Sequence, residues 1–283
     1  MSGKLPVLKL PFARDAVTPT YRGGRFTFRL SPEVSQQLKH LSRREEATLF
    51  MTLLATFKTL LYRHTQLEDI IVGTAHANRN RIEMESMIGF FINMLVLRTD
   101  VSGNPTFREL LRRVRDVTLN AYAHQDVPFD RLVEEFHTEK QGGHSPIFQV
   151  AFGLENLSQI SFEDPEPQQI SDLTMTPQAA EMDVVRYDLT LWIKEGGERL
   201  FGWWNYSTDV FDGESITMLH GHFETLLEHI LANPDAHLDE LEMLTASEKE
   251  RIAEQARSRE ETSYRKFIAV KPRLSKSENL VQS

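Results

Sequence analysis

TLFMTLLATFKTLLYRHTQLEDIIVGTA, residues 48–75, holds two kinds of regular structure end to end. Thr48 supplies a side-chain oxygen that can start a helix. The run behind it is apolar on more than one face, so that helix belongs at the centre of a core rather than on its surface. Residues 69–75 then form a short apolar run with β-branched residues, as a strand buried on both faces does. A helix leading into a buried strand predicts an α/β chain.

The flanking segments continue the alternation. GRFTFRL (24–30) sets Phe26, Phe28 and Leu30 at period two, and Ser31-Pro32 opens a helix whose buried stripe is Val34, Leu38 and Leu41. MIGFFINMLVLR (87–98) predicts another core strand, separated from the first by the polar loop HANRNRIEMES (76–86). TFRELLRRVRDVTLNAYAH (106–124) is amphipathic, with Leu110, Leu111, Val114, Val117 and Leu119 near one side, and PFDRLVEEF (128–136) is a shorter helix. FQVAFGLEN (148–156) predicts a strand, and the stretch with Pro165, Pro167 and Pro177 a loop. Residues 187–211 predict a hairpin around Glu195-Gly196-Gly197-Glu198, whose glycines supply the positive φ of a tight turn. A long helix over 212–234 packs through Ile216, Leu219, Phe223, Leu227 and Ile230. Strands alternating with helices make a mixed sheet covered by helices.

At 283 residues, 40% hydrophobic and 26% charged, the chain has enough apolar side chains for one large or two modest cores. No apolar run approaches the ~20 residues of a membrane span, and MSGKLPVLKLPF lacks a signal peptide's apolar region, so a cytoplasmic protein without membrane contact is expected. The absence of cysteine excludes disulfides, thiolate metal sites and a cysteine nucleophile. A net charge of −9 argues against nucleic acid as a partner. From Ser258 onward six Lys and Arg stand against three Glu, so residues 258–283 are expected to be a basic, mobile tail.

Chemistry-bearing motifs are few. There is no P-loop, no G-x-G-x-x-G and no G-x-S-x-G. His220 and His222 lie on a predicted helix, where two positions point about 200° apart, so they cannot share an ion and read as ordinary core or surface histidines. His237-Leu238-Asp239 matches part of a two-histidine, one-carboxylate iron site, but no histidine follows it. In HQDVPFD (124–130) a helix must stop before Pro128, Asp126 and Asp130 suit the start of the next helix, and His124 suits the end of the first. A proton-transfer pair and helix punctuation both account for these residues.

Three stretches resemble motifs of the condensation domains of nonribosomal peptide synthetases: IGFFINMLVLR (88–98), HQDVPFD and HSPIFQVAF (144–152). RYDLTLWI (186–193), YSTDVFD (206–212) and LTASEKERI (244–252) fit in order, so the likeness runs from about Leu5 to Ala256. Lys140 stands near the position of the family's usual arginine, Asp130 replaces its Glu and Met94 its Thr. The family's H-H-x-x-x-D-G motif is missing, and the chain contains no His-His pair.

The resemblance therefore implies half a domain. It implies one chloramphenicol-acetyltransferase-like lobe over residues 20–257, a mixed sheet with helices packed on one face, preceded by a lead-in over 1–19. It implies a substrate-tunnel wall at Asn78, Arg79, Gly89, Phe91 and Asn93, and a structural joint at His124, Asp126, Pro128, Phe129 and Pro146, with no catalytic residue and no metal. No cofactor is bound directly, the phosphopantetheine arms of carrier proteins being substrates. The implied partners are peptidyl or aminoacyl carrier proteins, with a histidine-bearing N-terminal lobe or a hydroxylase. RKFIAVKPRLSKSENLVQS (265–283) is similar to the start of taurine-dioxygenase-like hydroxylases. Tunnel wall, non-catalytic interface module and gene remnant are the functional alternatives. A lobe without its mate is expected to expose apolar surface around IGFFINMLVL, with residues 157–186 as an unpartnered crossover.

Overall fold

The computed structural model describes residues 5–15, 20–79, 81–136, 147–155, 168–170, 173–175 and 184–269. In chain order the elements are β1 (Gly23–Arg29), α1 (Pro32–Arg44), α2 (Leu49–Thr65), β2 (Asp69–His76), α3 (Ile82–Glu85), β3 (Asn93–Asp100), α4 (Phe107–Ala123) and α5 (Phe129–Glu135). β4 (Val150–Glu155), β5 (Gln168–Ile170), β6 (Leu173–Met175), β7 (Leu189–Gly196), β8 (Arg199–Ser207), α6 (Gly213–Ala232) and α7 (Ala246–Ala269) follow. Local chemistry fixes most helix starts. Ser31, Thr48, Thr106 and Asp212 each accept from a backbone N–H of the first turn, and Thr106 with Glu109 closes a reciprocal capping box.

Six strands form one mixed sheet in the order β1-β8-β7-β4-β2-β3. β4 runs parallel to both neighbours, with Gly73 opposite Ala151 and Ala151 opposite Thr190; the other pairings are antiparallel. α2 is the central helix that its sequence predicts, buried from Met51 through Tyr62. It shares one core with α1, α4, α6 and the sheet, where Trp204, Phe57, Phe152 and Phe223 are fully buried. The expected layering holds for these four helices. The short α5 adds a layer on the opposite face, because alternation along β2 sends Ile70 and Val72 to the main core and Ile71 to a second cluster with Phe148 and Ala151. Phe129, Leu132 and Val133 pack there.

Lys58 brings a titratable amine into the main core. Its side chain is fully buried, and Nζ donates to the Ile70 and Leu97 carbonyls at 3.1 and 2.7 Å. Burial pushes its pKa down to about 7 against the opposing pull of Asp69.

Several local expectations change. The strand expected over 87–98 begins only at Asn93, because β2 ends at His76, its last partner, and leaves residues 87–92 without a ladder. The polar loop over 76–86 contains α3, and Leu119 is exposed rather than on the buried stripe. The proline-containing stretch includes the paired β5 and β6. In the β7–β8 turn only Gly197 takes a positive φ, 63°, as the first central residue of a II′ turn does. The lead-in is built into the lobe: Leu8 and Leu10 are buried, and the Leu8 N–H donates to Gln149.

Residues 1–243 and 244–283 form two compact units. In the second, α7 continues through residue 258, so the composition break falls inside a helix. Among the described residues no helix is long and apolar enough to cross a membrane.

Candidate functional site

The residues singled out by the sequence gather around the end of the β2–β3 ladder, where His76 pairs with Asn93. Asn93 Nδ2 donates to the carbonyls of Gln125 and Val127, each at 2.8 Å, and its Oδ1 accepts from the Phe129 N–H at 3.1 Å. One side chain thus ties the α4–α5 joint to the sheet. With these three bonds made, both amide hydrogens are engaged and one oxygen lone pair remains.

His124 is engaged within its own helix. The His124 N–H caps α4 at the Ala121 carbonyl, and its Nδ1 lies 2.9 Å from the Asn120 carbonyl. Asp126 acts on His76, favouring the charged imidazole, while burial works more strongly in the other direction and lowers the His76 pKa. His76 Nδ1 accepts the Asn78 N–H at 3.0 Å, which requires that nitrogen to be unprotonated. Tyr122 faces the His76 ring at 5.6 Å, and burial raises its hydroxyl pKa. Pro128 is the N-cap of α5 rather than its first helical residue, and the Phe129 ring packs 5.6 Å from Phe148. Pro146 lies outside the described residues.

The loop leaving this frame is held by its own residues. Asn78 takes a left-handed φ of 51°, and its buried Oδ1 has no hydrogen-bond partner among the described residues. Arg79 donates to the Met84 and Met87 carbonyls, and its guanidinium lies 4.4 Å from the centre of the Phe91 ring. At Gly89 an added Cβ would meet the Phe91 ring at 3.0 Å, so a side chain there would push that ring aside by a few tenths of an ångström. The outcome is an exposed apolar rim. Ile88 is fully exposed and Phe90 86% exposed, with Ile82, Met87 and Ile92 also open.

The structure places nine of the ten residues expected from the sequence at the end of the β2–β3 ladder, at the α4–α5 connection and in the loop between α3 and β3 or just before it. Sequence reasoning missed His76 and Tyr122, whose sole signal was proximity in the chain to HANRNR and to HQDVPFD. Among the described residues no group of three or more His, Asp or Glu is placed to hold a metal ion. His237 is engaged at the start of α4, its Nδ1 2.7 Å from the Asn104 carbonyl. What stands open at this end of the sheet is apolar side-chain surface.

Residues 1–253 match the family described as the condensation domain, and the chain belongs to that family of nonribosomal peptide synthetase domains. The linear gramicidin synthase of Brevibacillus parabrevis has a polypeptide that is 44% identical over 255 residues, covering 89% of this chain and 5% of the relative, so the chain spans a small fraction of it. A four-domain nonribosomal peptide synthetase bound to AMP and glycine superposes with a TM-score of 0.78 at 23% identity, covering 86% of this chain and 19% of that one. The X-domain in complex with OxyB from teicoplanin biosynthesis gives 0.76 at 25% identity, covering 86% and 53%. The α/β fold is therefore that of condensation domains, the chloramphenicol-acetyltransferase-like class.

Proposed function

We propose that this chain forms the C-terminal lobe of a condensation domain. It supplies the wall and floor of the tunnel in which an amine on one carrier protein attacks a thioester on another, forming the amide and releasing the thiol. The single observation that carries this reading is the rim at 87–92, where large apolar side chains stand exposed on a loop braced by Arg79, Phe91 and Asn93. Such a surface suits a partner or substrate better than water. Asn78, Arg79, Gly89 and Phe91 shape the wall; Asn93, His124, Asp126, Pro128 and Phe129 hold it in place, with Pro146 following in the chain.

The sequence has no His-His pair, so the proton-handling group belongs to a histidine-bearing lobe on another segment. Positioned acid/base groups contribute roughly 10²- to 10⁴-fold, so this chain by itself is expected to give only background product. The test combines the purified chain with donor- and acceptor-loaded carrier proteins, with and without an N-terminal condensation lobe. Dipeptide that appears only with the added lobe supports the proposal. Product from the chain alone that is lost in His124→Ala would overturn both the division of labour and the structural role of the joint.

The likeness to an X-domain solved with OxyB favours one second reading, a non-catalytic interface module that takes a carrier protein or a hydroxylase. Carrier or hydroxylase binding with no product under any combination would select it. In either reading the work is assigned to residues 1–257. A chain ending at Arg257 should therefore keep its fold and its binding.

A further inference from the structure

His222 and His64 meet where α6 packs on the end of α2. Nδ1 of His222 and Nε2 of His64 are 3.1 Å apart, with the rings inclined by 28°. His222 is buried and His64 half-buried, with Phe12 edge-on to the His64 ring at 5.4 Å. One facing nitrogen donates and the other accepts, so a single proton sits between two potential metal-binding atoms.

We propose that this pair binds one divalent transition-metal ion of the imidazole-preferring class, copper, nickel or zinc, and staples α2 to α6. With metal–nitrogen bonds of about 2.0–2.1 Å, a 3.1 Å separation gives an angle of about 100° at the metal, suited to two adjacent ligands in square-planar or tetrahedral coordination. Binding requires the proton on the facing nitrogen of the donor ring to move to that ring's other nitrogen, the contacts of that nitrogen to adjust, and the two rings to turn so that both facing lone pairs converge on the ion. Water fills the remaining positions from the half-buried side of His64. His220, two residues from His222, does not take part, because its ring is turned onto Phe28 at 4.3 Å. With no third protein ligand among the described residues, copper(II) should bind most tightly of the three.

The test uses the untagged full chain, stripped with chelator and titrated calorimetrically with copper(II) and zinc(II) chloride, with electron paramagnetic resonance of the copper complex. One saturable equivalent is expected, with a signature of two imidazole nitrogens, lost in His64→Gln and retained in His237→Gln. His64→Gln is the deciding variant because that side chain is not fully buried, and its fold is checked by circular dichroism. The wild-type copper spectrum decides independently of any variant. Absence of saturable binding, survival of the one-equivalent step in His64→Gln, or fewer than two bound imidazole nitrogens would overturn the proposal.

Discussion

Replacing Lys58 by Met should stabilise the protein at pH 6, and the gain should shrink as pH rises. In the folded chain burial holds the Lys58 pKa at about 7, against an ordinary value of 10.5. Below pH 7 folded and unfolded chains both carry the proton, and the folded state bears the full cost of a buried ammonium. Between pH 7 and 10.5 the unfolded chain binds more protons, so wild-type stability rises with pH by up to about 1.4 kcal/mol per unit. From pH 6 to pH 9 this amounts to roughly 2.5 kcal/mol. At pH 6 the net cost of the ammonium relative to the neutral amine is about 5 kcal/mol, since each unit of depression is worth about 1.4 kcal/mol. That figure already includes the pull of Asp69 toward the charged form. Replacing buried ion pairs by apolar side chains of similar volume is neutral or gains up to about 4 kcal/mol, and a gain of about 1–4 kcal/mol is expected here at pH 6. Urea unfolding of wild type and Lys58→Met at pH 6, 7.5 and 9 measures it. A difference between the two proteins that does not change with pH would refute the reasoning, because it would mean that Lys58 does not titrate abnormally in the folded state.

Asn93→Asp keeps the acceptor for the Phe129 N–H but turns a carboxylate toward two carbonyls, so it should cost more than Asn93→Ala, itself about 2–3 kcal/mol for three lost hydrogen bonds; thermal unfolding ranks the pair. Burial holds the His220 pKa at about 4, so its contribution is complete above pH 6.5 and is lost between 6.5 and 4, by up to about 3 kcal/mol. His220→Phe should flatten the acid limb of the stability profile. Ile88→Ser with Phe90→Ser should change stability by less than about 0.5 kcal/mol, since both side chains are exposed, yet reduce capture of a second lobe in sedimentation experiments.

Much of this was legible in the amino-acid order because it is set within about ten residues. The caps at Ser31 and Thr48, the buried run of α2 and the buried stripe of α6 each follow from side-chain chemistry and period, and the motif order identified the family. The partners across the chain were not legible, because they depend on which surfaces the assembled sheet brings together. β4 lies between β7 and β2 although neither is its neighbour in sequence, and β3 starts at Asn93 only because β2 has run out of partners. An apolar stretch that reads as strand thus becomes an exposed rim at 87–92. Asn93 reaches a backbone segment more than thirty residues away, and His222 finds His64 across 158 residues, a pairing hidden by its nearness in sequence to His220. Period and propensity determined the elements. Packing alone decided which polar groups those elements would bury against one another.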